Sequence, residues 1–431
     1  MKALSIFDWQ RLAVDEPAGW RLMLEERLAT CLQKTNTSVL SASLMDAYGP
    51  GSAGWESSAG PLAGVPYAVK DLFDVKAVPT HASSVLPQLL NKSAELDSEL
   101  VQVMLALGAS CVAKTQMNEF AYGLSGENPH YGHCPHPLLE GCLSGGSSSG
   151  SAHMVAAGYL PVAFGTDTGG SIRLPAAWCG LYGIRWVPQY LMQGGFPLAP
   201  SFDTLGWFTR SPQEMAYMLQ AWFGRDPAQA ADAPNGTQAT KAAPGAVFLP
   251  EALLQSETLA KTRALAEKMG LSFEGDFGEL LELLPRCQFA FNVLQSREAL
   301  VIHEAWLAES GSLYDPAVRA RIERARDWTD ADVAAAQATV LATKAWFAQY
   351  FDKHDFLAMP VCPAPSVPSA EAKPELREQT LQLTTPASIA GLPALTVPVW
   401  LDAQRSVGIQ FIFKSTAPEV PLSILKLCDN I

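Results

Sequence analysis

A chain of 431 residues, 48% hydrophobic and 17% charged, has the composition of a globular protein with a large core and not of a disordered chain. Thirty basic residues against 43 acidic ones leave a net charge of −13, which argues against a surface that tracks nucleic-acid phosphates. No apolar run approaches the ~20 residues needed to span a bilayer, MKALSIFDWQRLAVDEPAGW lacks a signal-peptide pattern, and the eight cysteines sit among apolar neighbours, so a cytoplasmic protein with buried thiols is expected.

Residues 1–45 are mostly helical in pattern, with apolar positions three and four apart in GWRLMLEERLATCLQ. YGPGSAGWESSAGPLAG is a loop by its glycine, serine and proline content. VPYAVKDLFDV then reads as a buried strand carrying Lys70 among Ala68, Val69, Leu72 and Phe73. DSELVQVMLALGASCVAKT is a helix stopped by Gly108 and followed by a short strand, one α/β step. GCLSGGSSSGSA is too rich in glycine and serine for either regular element; SAHMVAAGY resumes a helix, and LPVAFGTD is a short apolar strand. The alternation runs to about residue 212, and GRDPAQAADAPNGTQATKAAPGA reads as an exposed connector. Residues 250–352 are dominated by helix. DFLAMPVCPAPSVP is a strand stopped by prolines, and TTPASIAGLPALTVPVW and SVGIQFIFK add strand-like segments. The pattern predicts a single α/β domain: a sheet with helices on both faces, whose last strands return to a core begun near residue 60.

In GTDTGGSIRLPAAWCG, Ser171 stands directly behind Gly169 and Gly170. A serine hydroxyl is a poor nucleophile without a neighbouring base, and no histidine lies nearby in sequence. A lysine can serve when desolvation leaves its amine neutral, and Lys70 has the apolar neighbours for that. Alternation along a strand sends Asp71 to the opposite face, and the direction of Asp74 stays open. The glycine pair can turn successive N–H groups toward one point, where a negative oxygen would be held; one such donor is worth roughly 3–4 kcal/mol. Arg173 is expected to brace this loop. Two rival readings are weaker. GSSSG at 146–150 fits G-x-S-x-G with Ser148 as nucleophile, but the strand before it is poor, and only His303 and His354 lie downstream of His153. His130, His133, Cys134, His136 and Cys142 are metal-like in composition but not in spacing, so no metal is assigned.

GVPYAVKDLFDV, GCLSGGSSSGSAHMVAAG and GTDTGGSIRLPAAWCG, in that order, resemble the amidase signature family of serine hydrolases. The resemblance covers about residues 60–212 and returns at 380–415, leaving 250–352 as a variable helical cap on one amidase domain spanning 1–431. It implies a large mixed central sheet covered by helices on both faces. It also implies a Ser–cis-Ser–Lys triad on Ser171, Ser147 and Lys70, with oxyanion donors from the N–H groups of Thr168, Gly169, Gly170 and Ser171. Asp167 and Arg173 are read as supports. Ala121, Tyr122 and Gly123 fall in the family's substrate-side loop. Two features depart from the family pattern: Trp186 stands in a proline position, and His153 replaces a usual alanine.

The resemblance is nearest to the indole-3-acetamide hydrolase type. The expected substrate is a small, linear, uncharged primary amide, an arylacetamide being the sharpest guess. The helical region offers Trp306, Trp328, Trp346, Phe347 and Tyr350 as candidate pocket aromatics. No cofactor, nucleic acid or membrane partner is expected, and a homodimer is allowed. Two alternatives share the scaffold: the glutaminase subunit of a tRNA-dependent amidotransferase, and a non-catalytic binding protein.

Overall fold

The computed structural model describes residues 2–45, 60–90, 92–224, 245–371 and 373–429. Residues 46–59 of the glycine-rich loop and 225–244 of the connector lie outside the described residues. The strands are β1 (Leu40–Ser43), β2 (Pro66–Lys70), β3 (Ser110–Thr115), β4 (Val162–Thr166) and β5 (Tyr182–Pro188), then β6 (Thr204–Thr209), β7 (Gly245–Val247), β8 (Phe356–Pro360), β9 (Ala394–Trp400) and β10 (Ser406–Phe413). They form one mixed sheet in the order β1-β3-β2-β4-β6-β5-β9-β10-β8-β7. β3, β2 and β4 run parallel, and the pairs from β4 through β6, β5, β9 and β10 to β8 are antiparallel. The C-terminal strands therefore do rejoin the sheet begun near residue 60.

The central strands are apolar along their length because both faces are covered. All five residues of β2 are buried. Tyr67 and Val69 enter one large core with Phe164 and Trp207. Ala68 enters a second core with Trp9, Trp20, Ala163 and Phe208. The period-two alternation of a strand thus feeds two layers. Against the second core lie the N-terminal helices, Ile6–Asp15 with its Ser5–Asp8 capping box and Pro17–Thr35. The helices Ser149–Ala156 and Arg173–Cys179, both buried, lie there too. Helices Gly278–Ser310, Asp330–Tyr350 and Pro374–Ala390 pack on one another. All eight cysteines are free, buried thiols, and no helix among the described residues is long and apolar enough to cross a membrane.

One expectation fails locally. TTPASIAG is not strand-like but the end of helix Pro374–Ala390, which carries Pro386 inside and stops at Gly391 with φ 71°. Proline costs that helix a hydrogen bond, yet burial of Thr384, Thr385, Ala387 and Ile389 holds the turn in place. Within the helix-dominated region 250–352, Thr329 caps helix Asp330–Tyr350 with Asp332. Trp186 sits buried in β5 against Phe223 and Phe413.

Candidate active site

Lys70 and Thr166 are the last residues of β2 and β4, two adjacent parallel strands. Sites in α/β sheets gather beyond such carboxyl ends. The chain leaves β4 as Asp167-Thr168-Gly169-Gly170-Ser171 and enters helix Arg173–Cys179. Lys70 Nζ donates to Ser147 Oγ at 2.7 Å and to Thr166 Oγ1 at 2.9 Å. The Gly146–Ser147 peptide is cis. The Asn118 N–H donates to the Ser147 carbonyl, and the Ser148 N–H donates to the Ser171 carbonyl, both at 3.3 Å, so the two serine-bearing loops are joined through their backbones. Ser171 is 3% exposed, and its hydroxyl has no hydrogen bond among the described residues.

Lys70 has no exposed surface. Burial brings its pKa down to about 7, against the weaker upward pull of Asp203 and Asp167. The two acids adjacent in sequence are occupied elsewhere. Asp71 pairs with Lys114 at 2.9 Å, and Asp74 accepts from the Thr80 hydroxyl at 2.7 Å. Asp203, which sequence reasoning missed, is fixed by the Thr168 hydroxyl at 2.6 Å and the N–H groups of Leu198 and Ala199. Burial pushes its pKa up.

The Asp167 carboxylate organises the glycine loop. It accepts from the N–H groups of Gly170, Ile172 and Arg173 at 2.8, 3.2 and 3.2 Å, and from Arg173 Nε and Nη2 at 2.9 Å each. Burial opposes its charge, but Arg173 and Arg185 outweigh that and hold its pKa below the usual carboxylate range. The Gly170 N–H is spent on Asp167 and is not a free oxyanion donor, because a fixed carboxylate three residues back captures it. The N–H groups of Thr168, Gly169 and Ser171 make no hydrogen bond among the described residues. Both glycines are required by space or by backbone. A Cβ on Gly169 would lie 2.4 Å from the Phe291 ring, and Gly170 has φ +130°. Arg173 reaches on to the Thr384 carbonyl, Gln410 Oε1 and Ser388 Oγ, tying the loop to helix Pro374–Ala390 and β10.

Ala121, Tyr122 and Gly123 line a narrow cleft together with Ser171. Phe120 and Ala121 sit at φ 52° and 58°, a left-handed stretch that non-glycine residues rarely adopt and that concentrates at functional sites. Leu124 and Gly169 also line it, and two helices close it: Phe291 and Gln295 come from helix Gly278–Ser310, and Arg377 and Leu381 from helix Pro374–Ala390. None of the five candidate aromatics lines it. Trp306 packs on Phe120 and Phe196, Trp328 on Phe289, Phe347 on Phe351, and Trp346 on Tyr350, which stacks on His354. Helical periodicity shows which residues turn inward, not which of them meets a distant loop.

The His/Cys segment is a tied loop. His130 Nε2 lies 3.0 Å from Glu119, His133 Nδ1 accepts from the Asn128 N–H, and His136 Nε2 bonds the Trp178 carbonyl. His153 Nδ1 bonds the Pro135 carbonyl at 2.8 Å, and burial lowers its pKa to about 4, so it is a neutral structural donor. Ser148, the rival nucleophile, donates its hydroxyl to the Thr166 carbonyl and is fully buried.

A model of the amidase family matches residues 26–247 and 259–417. The 1-carboxybiuret hydrolase subunit AtzE of Pseudomonas sp. (strain ADP) is 43% identical over 168 residues, 39% of this chain and 36% of that protein. The indoleacetamide hydrolase of Pseudomonas savastanoi is 28% identical over 377 residues, 81% of this chain and 80% of that protein. Among solved structures, an amidase crystal structure superposes with a TM-score of 0.82 at 28% identity, covering 99% of both chains. The chain belongs to the amidase family, enzymes that hydrolyse the C–N bonds of amides.

Proposed function

We propose that this amidase-family chain hydrolyses a small linear amide to a carboxylate and ammonia, with Ser171 as nucleophile, Ser147 as relay and Lys70 as base. The observation that carries this reading is the 2.7 Å bond between a fully buried lysine nitrogen and the Ser147 hydroxyl. In the proposed cycle, neutral Lys70 takes the proton of Ser147 as Ser147 takes that of Ser171, whose oxygen attacks the amide carbon. The negative oxygen of the tetrahedral intermediate is held by the N–H groups of Thr168, Gly169 and Ser171. The relay then runs backward: the proton reaches the departing nitrogen, the C–N bond breaks, and ammonia leaves an acyl group on Ser171. Water, deprotonated by the same route, adds to the ester carbon and releases the acid.

The likeness to an indoleacetamide hydrolase supports including arylacetamides among the substrates tried. The test is ammonia release from a panel of primary amides, indole-3-acetamide and glutamine included. Wild type should turn over at least one of them, and Ser171→Ala should turn over none. A fluorophosphonate probe that labels a residue other than Ser171 would overturn the assignment.

A further inference from the structure

The wall of the cleft that carries Arg377 is cationic in a protein whose net charge is −13. Arg377 lines the cleft with Ser171 and Tyr122, and Arg321, Arg324 and Arg377 all act electrostatically on the Tyr122 phenol. Arg321 Nη1 also donates to the Tyr122 carbonyl at 2.6 Å. Two acids face this group: Glu378, which accepts from Arg377 Nη1 at 2.8 Å, and Asp315, which acts on Arg321. Three guanidiniums against two carboxylates leave one positive charge in excess. Arg324 spends an N–H on Asn292 Oδ1, a neutral acceptor.

Two polar atoms of the cleft wall are buried and without hydrogen-bond partners among the described residues, Arg377 Nε and Gln295 Oε1. Buried polar atoms left unpaired are costly, and these two ask for an acceptor and a donor respectively. Phe291 and Leu381 add apolar surface to the same cleft. A neutral alkyl or aryl amide would leave Arg377 Nε without an acceptor.

We propose that the amide hydrolysed here carries a carboxylate on its acyl part, received by Arg377, while Gln295 Oε1 accepts an N–H of the substrate. The substrate class is then the monoamides of short dicarboxylic acids and their close isosteres, in place of the uncharged amide expected from sequence. This rests on the amidase reading above and names the substrate for the same site. Arg377 acts as a specificity residue: its planar donor set suits a carboxylate, and it takes no part in the proton relay.

The experiment compares matched amides, succinamate against butyramide, by ammonia release in wild type, Arg377→Met and Arg377→Lys. Wild type should favour succinamate by roughly 10- to 100-fold in kcat/KM, the worth of a hydrogen bond to a charged group, expressed mainly in KM. That ratio should collapse toward one in Arg377→Met and be only partly restored by lysine, with thermal melts confirming that each variant is folded. Equal or better turnover of butyramide by wild type would overturn the proposal, as would an unchanged ratio in folded Arg377→Met. A second readout does not need turnover: succinate titrated calorimetrically into Ser171→Ala should bind at one site and lose that binding when Arg377→Met is added. If neither amide is hydrolysed, the panel of primary amides decides the amidase reading and the succinate titration decides this inference, absence of binding refuting it.

Discussion

Lys70 reaches the site between two hydroxyls, Ser147 and Thr166, and not against a carboxylate. Asp203 and Asp167 act on it only through the field, and both raise its pKa. In the proposed cycle the active form of the base is the neutral amine, so kcat/KM should rise with pH through about 7, the value set by burial. Asp203→Asn removes one upward pull while leaving an oxygen for the Thr168 hydroxyl. The acid limb of the pH–kcat/KM profile should therefore move to lower pH. A limb that stays in place or moves up would show that Asp203 does not govern Lys70. Lys70, Ser147 and Ser171 could be singled out in the sequence because each lies in a distinctive local motif. Asp203 could not: SFDTLGW carries no sign that the start of β6 comes to face Lys70, since that proximity is made by the sheet order alone.

Among elements, the turn between β4 and the helix Arg173–Cys179 depends on a helix far along the chain. Phe291 closes over Gly169 so tightly that a Cβ would sit 2.4 Å from the ring. Gly169→Ala should cost roughly 1–3 kcal/mol, the usual cost of overpacking, and should depress kcat more than it raises KM because the donor loop must shift. Adding Phe291→Leu should recover part of both losses. If Gly169→Ala has wild-type stability and kcat, the contact has no structural weight. This interlock explains what the sequence hid about the cleft. The loop Ala121–Gly123 was reached only through the family resemblance, and Phe291, Gln295 and Arg377 lie in helices whose pattern says only that one face is buried. The aromatic residues that looked suited to a pocket, Trp306 and Trp346 among them, pack on other rings instead.

For the whole molecule, alternation of strand and helix revealed a sheet covered on both faces, but not its strand order. The antiparallel run from β6 to β8 is set by long-range pairing, for which local patterns carry no signal. The segment around Pro386 was misread for a related reason, because burial keeps a helix that local propensity disfavours. Stability should depend on pH through buried histidines. Burial brings His153 and His303 from the ordinary 6.5 down to about 4. Between those values the unfolded chain binds protons that the native one does not, so stability present above 6.5 is lost on acidification toward 4. Near pH 5 the loss is about 2 kcal/mol per histidine. Urea unfolding at pH 7 and 5 should show this loss, and His153→Gln, which keeps a donor for the Pro135 carbonyl, should lose correspondingly less. Equal losses in both proteins would show that His153 does not titrate as its burial requires.

The most direct test of the account is to titrate the Lys70 amine itself. Nitrogen-15 resonance of lysine-labelled protein, with the Lys70 signal assigned by its absence in Lys70→Met, should show a midpoint near 7. A midpoint near 10, the value of a solvated lysine, would mean that the amine is charged at working pH and takes no proton from Ser147.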